Sequence, residues 1–293
     1  MLKGVIINID GIITGTEAYV QDFISSLICA GLQFRIIPFE PASVSLSDTL
    51  LQFIKEMRLS PEECLFITDT RAGTQLAETA GIPCIGYLSP YSESQDLSRA
   101  YALFESLAAV DVAYLRRTHA HAMSYPAEIL TTNRLLIREF SKNDFASLYP
   151  IYSCPETASF MDEPLADYET ERAKHLAYIS NIYPLFELAL WGIFKKDTGT
   201  LIGRAGFSLP ENENGLFSLG YLIDVNYRRQ GYAKECIPAL LSYARDLGYL
   251  KVSAKVKTEN LASQKVLTHC GFPYHYMIDT ESNCFLYTIH LTM

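Results

Sequence analysis

A basic, glycine-containing turn, Arg228-Arg229-Gln230-Gly231-Tyr232-Ala233, lies between a strand-like apolar run at 217–225 and a helix-like run at 232–247. A chain that must pass from strand to helix through such a turn has few ways to fold. Glycine admits backbone conformations closed to other residues and lets the main chain approach a ligand closely. Successive N–H groups at a helix start, together with the helix dipole, favour a phosphate there. Arg228 and Arg229 are cations at the end of a helix that disfavours them, a cost that makes sense when an anion sits between them and the helix.

The rest of the chain supplies two different settings. Residues 1–117 alternate strand and helix signals. Strands are expected at 5–9, 34–37, 64–68, 83–87 and 110–115, and helices at 16–30, 47–57, 74–80 and 97–108. Gly31, Pro38 and Gly81 punctuate them, and Ser45 or Ser47 is a plausible N-cap. Short, continuous, β-branched strands separated by helices imply a parallel sheet covered on both faces. Residues 118–131 show no periodicity and read as a linker. From 132 the order changes. Strands are expected at 134–140, 188–194, 201–208, 217–225, 251–256, 274–279 and 285–291, and helices at 143–152, 168–183, 232–247 and 260–270.

Bulk properties narrow the function. A net charge of −9 argues against a nucleic-acid surface. The seven cysteines are scattered without a C-x-x-C pair, which suits reduced thiols better than disulfides or zinc. Met1-Leu2-Lys3-Gly4 runs into a short strand that ends at Asp10, unlike a secretory signal, and no apolar run is long enough for a membrane span. A cytoplasmic protein with neither a membrane nor a nucleic-acid partner is expected.

The order β-α-α-β-β-β-α-β-α-β-β, with the phosphate turn after the fourth strand, resembles the GNAT N-acetyltransferase fold over residues 132–293. Arg-x-x-Gly-x-Ala is similar to the acyl-CoA pyrophosphate loop of that family. Asn260-Leu261-Ala262-Ser263-Gln264-Lys265 with Cys270-Gly271-Phe272 resembles the Asn-x-x-Ser…Gly-Phe helix of the ribosomal-protein alanine acetyltransferase branch, as do "TNRLLIREF" and "GYLIDVNYRRQGYAKE". The resemblance implies a mixed, mostly antiparallel sheet whose fourth and fifth strands splay. It implies acetyl-CoA as co-substrate, with no metal needed, and direct attack by a primary amine of a protein N-terminus or small molecule.

It also implies CoA contacts at Leu222, Ile223, Val225, Arg228, Arg229, Gln230, Gly231, Tyr232, Ala233, Lys234, Asn260, Ser263 and Lys265. Asn260 is expected to cap its helix as well. Relatives carry a tyrosine where this chain has Leu267, and an acidic residue where it has Ser218. The candidates for proton handling are therefore Ser218, Tyr221, Glu213, Glu211 and His269, with Glu187 ambiguous. The acceptor is expected to meet 142–184 and the last hairpin, with Phe160, Met161, Tyr178, Tyr183 and Phe186 at hand. A protein acceptor or self-association fits this reading. A non-catalytic acyl-CoA sensor is the alternative.

In residues 1–117, Asn8-Ile9-Asp10-Gly11-Ile12-Ile13-Thr14 and "LSPEECLFITDTRAGTQLAETAGIPCIGY" resemble the first and last motifs of the haloacid dehalogenase (HAD) superfamily. The resemblance implies a Rossmann-like α/β domain without a cap. Its nucleophilic aspartate position holds Asn8, the second acidic position holds Gly73, and no lysine stands near Val44. Asp10 and Asp69 remain. A phosphohydrolase or phosphate-binding protein is the other alternative, with Asn8 against it.

Overall fold

The computed structural model describes residues 1–15, 17–38, 46–90, 96–161, 164–208, 216–277 and 283–291. Two compact units divide the chain, Met1–Ala127 and Glu128–Met293.

The first unit runs β1 (Gly4–Asn8), α1 (Asp10–Thr14), α2 (Val20–Cys29), β2 (Gln33–Ile36), α3 (Leu46–Glu56), β3 (Cys64–Thr68), α4 (Arg71–Ala80), β4 (Cys84–Tyr87), β5 (Ala102–Phe104) and α5 (Val112–Ala122). Its sheet is parallel, in the order β2-β1-β3-β4-β5. Both faces are covered, as the continuous apolar strands require. Ile6, Cys64, Phe66 and Cys84 pack with Leu50, Ile54 and Ala77, whereas Val5, Ile7, Leu65 and Ile67 pack with Phe23, Leu27 and Leu115.

The structure departs from four expectations. Residues 97–108 are not a helix, because Ala102–Phe104 completes the sheet against β4, and this pairing overrides local helix propensity. Residues 110–115 are not a strand. Asp111 accepts the Tyr114 N–H at 2.7 Å and caps α5, whose face of Leu115, Thr118 and His119 is buried. Most of 118–131 is ordered as the end of α5 and the next strand. The helix expected at 16–30 is shorter and follows α1. Gly15 ends α1 in a left-handed conformation, and α2 begins at Val20. Ser45 and Val44 lie outside the described residues.

The second unit runs β6 (Glu128–Thr131), β7 (Leu135–Arg138), α6 (Phe145–Ser153), α7 (Pro155–Ala158), α8 (Tyr168–Asn181), β8 (Leu190–Lys195), β9 (Leu201–Ser208), β10 (Ser218–Ile223), α9 (Tyr232–Asp246), β11 (Lys251–Lys257), α10 (Leu261–His269), β12 (Tyr274–Met277) and β13 (Cys284–His290). The sheet order is β12-β13-β11-β10-β9-β8-β7-β6. Every neighbouring pair is antiparallel except β10 and β11. Those two meet in parallel at one register pair, Ser218 with Ser253, and then diverge. One face packs on α9, where Trp191 meets Tyr243 and Phe207 edge-on. The other faces α6 and α8. No helix among the described residues is long and apolar enough to cross a membrane.

Candidate functional site

The divergence of β10 from β11 opens a slot inside the sheet, and the N-terminus of α9 stands at its mouth. Gly231 precedes α9 with φ 83° and gives it no side-chain cap. Four other helices (α4, α5, α8 and α10) are capped by Thr70, Asp111, Asp167 and Asn260. At 15 residues α9 is the longest helix among the described residues, and its first-turn amides, like those of α1, α2, α6 and α7, meet no capping side chain. Arg229 also has a positive φ, 60°. Its side chain is exposed and has no partner among the described residues, and Lys234 projects from the same turn into solvent.

The Arg228 side chain points inward instead. Its Nε donates to the Ile223 carbonyl at 2.9 Å, and its Nη2 donates to Thr157 Oγ1 at 2.8 Å. The Gln230 amide donates to the Asn226 carbonyl at 3.2 Å. Tyr232 is buried under the turn and Ala233 is half-buried.

Backbone alternation decides which parts of β10 face the slot. The Asp224 N–H donates to Ile202 of β9, and Leu222 pairs with Arg204. Polar groups of the even residues therefore turn toward β9, and those of Leu219, Tyr221 and Ile223 toward the slot. Of the three positions expected to hold the carrier arm, Ile223 faces the opening. The backbone of Leu222 is committed to β9. Val225 lies in the single 3-10 turn beyond the strand, its carbonyl accepting the Arg228 N–H at 3.4 Å.

Across the slot, Asn260 Oδ1 caps α10 by accepting the Ser263 N–H at 3.0 Å, which leaves its Nδ2 for another acceptor. Ser263 Oγ lies 2.7 Å from the Tyr221 hydroxyl, which also reaches the Ser263 carbonyl at 3.3 Å. Burial pushes the Tyr221 phenol up to about 12, against the lowering effect of Ser263. Tyr221 therefore keeps its proton at neutral pH. Lys265 is exposed on the same helix.

The remaining candidates scatter. Ser218 sits half-buried where the strands separate, its carbonyl accepting from Ser208 Oγ at 3.3 Å. Glu211 and Glu213 lie outside the described residues. His269 is exposed at the end of α10. Glu187 is exposed; the Tyr249 phenol is raised by burial first and by the Glu187 charge second. Tyr178 and Tyr183 are structural. The Tyr178 hydroxyl accepts the Leu190 N–H at 2.8 Å, and Tyr183 donates to the Leu190 carbonyl at 2.8 Å. Phe160 and Phe186 are exposed and Met161 is half-buried.

Four side chains without an expected role brace the site. Arg134, inside the quoted "TNRLLIREF", donates from Nη1 to the Gln230 carbonyl at 3.0 Å and from Nε to Glu235 at 2.6 Å, and its guanidinium lies 4.3 Å from the centre of the Tyr232 ring. Glu235 also accepts from Thr132 Oγ1 and the Arg134 N–H. Thr157 anchors α7 to Arg228, and Lys257 at the end of β11 donates to the carbonyls of Ser159 and Met161 at 3.2 and 2.9 Å. α7 is thereby tied to both banks of the slot. No sequence motif marks Thr157 or Lys257. Beside α7 an open groove of about 690 Å³ is lined by Tyr149, Ser153, Pro155, Met161 and Leu165 among others.

In the first unit, the C-terminal ends of β1 and β3 bring Asn8, Thr68 and Asp69 together. Asn8 is 2% exposed; its Nδ2 donates to the Ile37 carbonyl at 3.0 Å and its Oδ1 accepts from Thr68 Oγ1 at 3.0 Å. A Cβ on Gly73 would stand 2.0 Å from that same hydroxyl. Asp69 Oδ2 accepts the Asp10 N–H at 3.1 Å, and burial raises the Asp69 carboxyl above the usual range. Among the described residues no group of three or more His, Cys, Asp or Glu could hold a metal ion.

Residues 134–273 match the family model described as "Acetyltransferase (GNAT) domain". The uncharacterized N-acetyltransferase p20 of Bacillus licheniformis is 31% identical over 148 residues, covering 50% of this chain and 82% of that protein. The uncharacterized N-acetyltransferase YoaA of Bacillus subtilis is 28% identical over 145 residues, covering 49% and 82%. Among solved structures, a GNAT-family acetyltransferase from Bacillus anthracis aligns at 19% identity with a TM-score of 0.47, covering 55% of this chain and 97% of that one. A ribosomal L7/L12 alpha-N-protein acetyltransferase in complex with coenzyme A aligns at 18% identity with a TM-score of 0.48, covering 56% and 98%.

Proposed function

Because the chain belongs to the GNAT acetyltransferase family through its second unit, we propose that it moves the acetyl group of acetyl-CoA onto a primary amine by direct attack on the thioester. The observation that carries this reading is the uncapped start of α9 at the mouth of the slot between β10 and β11. The amides from Gly231 to Lys234 and the charges of Arg229 and Lys234 suit a diphosphate. The slot-facing N–H of Ile223, whose carbonyl already accepts from Arg228, and the slot-facing groups of Tyr221 offer strand-like pairing to an extended amide-bearing arm, and Asn260 Nδ2 can donate to it from the other bank. Arg228 acts by position, holding the turn to the end of β10 and to α7.

The reaction needs little from side chains once the two substrates are aligned. The neutral amine nitrogen bonds to the thioester carbon, and the slot-facing Tyr221 N–H is placed to stabilise the oxyanion. The C–S bond then breaks. The amine gives up one proton, by way of water, and the departing sulfur takes one. The Tyr221–Ser263 hydroxyl pair is the donor we assign to it, in place of the tyrosine that relatives carry at the Leu267 position. With its phenol near 12, Tyr221 serves as a hydrogen-bond donor and does not act as a base.

Transfer is tested by following thiol release and acetylated product with a panel of small amines and peptides bearing free N-termini. Tight acetyl-CoA binding without transfer to any acceptor would instead favour a sensor. In the same assay Tyr221→Phe is expected to lower kcat/KM only about fivefold, the worth of one neutral hydrogen bond. The rise of activity with pH should keep its midpoint, because it follows deprotonation of the acceptor amine. A shifted midpoint would make Tyr221 a titrating catalyst.

For the first unit, we read an HAD-like scaffold without hydrolytic chemistry. What supports this is Asn8 spending both amide atoms on Ile37 and Thr68. A cytoplasmic protein remains the reading that its cysteines support.

A further inference from the structure

Building on the acyl-transfer reading, we propose that the acceptor amine carries a carboxylate and that Arg204 reads it. The two faces of the second sheet are unequal. Leu190, Gly206 and Gly220 lie in cross-strand register, as do Gly192, Arg204 and Leu222. These rows share the face toward α6, since Arg204 lies 4.8 Å from the centre of the Tyr152 ring. On the opposite face Trp191, Ala205, Phe207, Leu219 and Ile223 are buried. On the α6 side Leu190, Arg204, Ser208, Ser218, Gly220 and Leu222 are all partly exposed. The helices leave this strip of sheet half open, and it borders the slot.

The strip has a floor and one charge. Among the described residues, a Cβ added to Gly220 would find only Leu190 Cδ2 within 4 Å, at 3.5 Å, on the side from which the amine would approach the thioester. Diagonally across on β9, opposite Leu222 and about 7–8 Å from Gly220, the register places Arg204. It is half-buried, and among the described residues it makes no ion pair with a carboxylate, its neighbour being the face of Tyr152. The one other arginine on this unit's described strands is paired. Arg138 holds Asp144 with both Nη atoms at 2.8 and 3.0 Å. The half-buried guanidinium lies 4.8 Å from the centre of the Tyr152 ring and also hydrogen-bonds the Tyr152 side chain, and its remaining N–H donors suit capture of a planar anion. The spacing fits an amine with a carboxylate about one side chain away, as in a free amino acid or a peptide that begins with an acidic residue.

The test uses the full chain and matched acceptors that differ only in charge. One pair is alanine against alaninamide. The other is a C-terminally amidated peptide beginning with aspartate against one beginning with asparagine. The expected result is a preference of roughly thirty-fold in kcat/KM for the carboxylate member of one pair, expressed in KM, as one bidentate charged contact would give. The pair that responds identifies the source. Arg204→Met should bring both members within about twofold of each other, and Arg204→Lys should retain part of the preference. Equal use of both members by the parent protein, or a preference that survives in Arg204→Met, overturns the proposal.

Titration of the same compounds into the CoA-bound protein separates the two claims. Arg204-dependent binding of a carboxylated amine without transfer keeps the recognition and sinks the acyl-transfer reading. Transfer without charge preference does the reverse. No binding of either member overturns the recognition.

Discussion

Gly231→Val is expected to weaken acetyl-CoA binding by about a hundredfold or more and to cost the fold about 1–2 kcal/mol. Space is not the obstacle, because an added Cβ would meet only Arg134 Nη2 at 3.5 Å. The obstacle is φ 83°, a conformation in which a β-branched residue is strained. The chain relieves that strain by rotating the turn, and the amides of Tyr232 and Ala233 then leave the anion. Two lost charge-assisted hydrogen bonds at about 1.5–3 kcal/mol each account for the affinity change. Gly231→Asn is the control, since asparagine tolerates the left-handed region, and it should retain most of the affinity. Calorimetry with acetyl-CoA and thermal unfolding read the two effects separately. An unchanged Kd in the valine variant would remove the carrier from this turn.

Asn8→Asp should destabilise the first unit by about 2–4 kcal/mol at neutral pH and gain no phosphatase activity. The amide donates to the Ile37 carbonyl at 3.0 Å, and a carboxylate there would set two acceptors against each other in a site that is 2% exposed. Only the protonated carboxyl can donate to Ile37, so the folded variant holds its proton more tightly than the unfolded chain. The folded state then binds more protons, and stability falls as pH rises from the ordinary value near 4 through the raised folded value. The difference between variant and parent should shrink on acidification. Denaturant unfolding at several pH values measures it. Adding Gly73→Asp drives a side chain into Thr68 Oγ1 and deepens the loss. A stable Asn8→Asp variant that hydrolysed a phosphate ester with Mg²⁺ would reverse this view of the unit.

The parts legible in the sequence were those written locally. The strand–turn–helix around Gly231 and the cap on α10 follow from residues a few positions apart, and the structure contains both. Residues 97–115 went wrong because their fate is decided at long range. Ala102–Phe104 becomes a strand only because β4 lies beside it, and Asp111 outweighs the β-branched residues around it. The parity of β10 was also out of reach. That Ile223 rather than Leu222 faces the slot depends on a hydrogen bond between Asp224 and Ile202, which no motif records. Likewise Arg228 looks like a phosphate ligand in one dimension, yet its guanidinium spends itself on Ile223 and Thr157, 71 positions away in the latter case.

A bare strand edge on the rim of a sheet invites other chains to pair with it, which is the usual route to aggregation. Here the unpaired length of β10 faces inward. β11 stands beyond it, α9 and α10 close one side, and α7 is fastened across its end through Arg228 and Lys257. An edge that lies inside the sheet in this way is shielded from the edge-to-edge pairing that an outer strand invites.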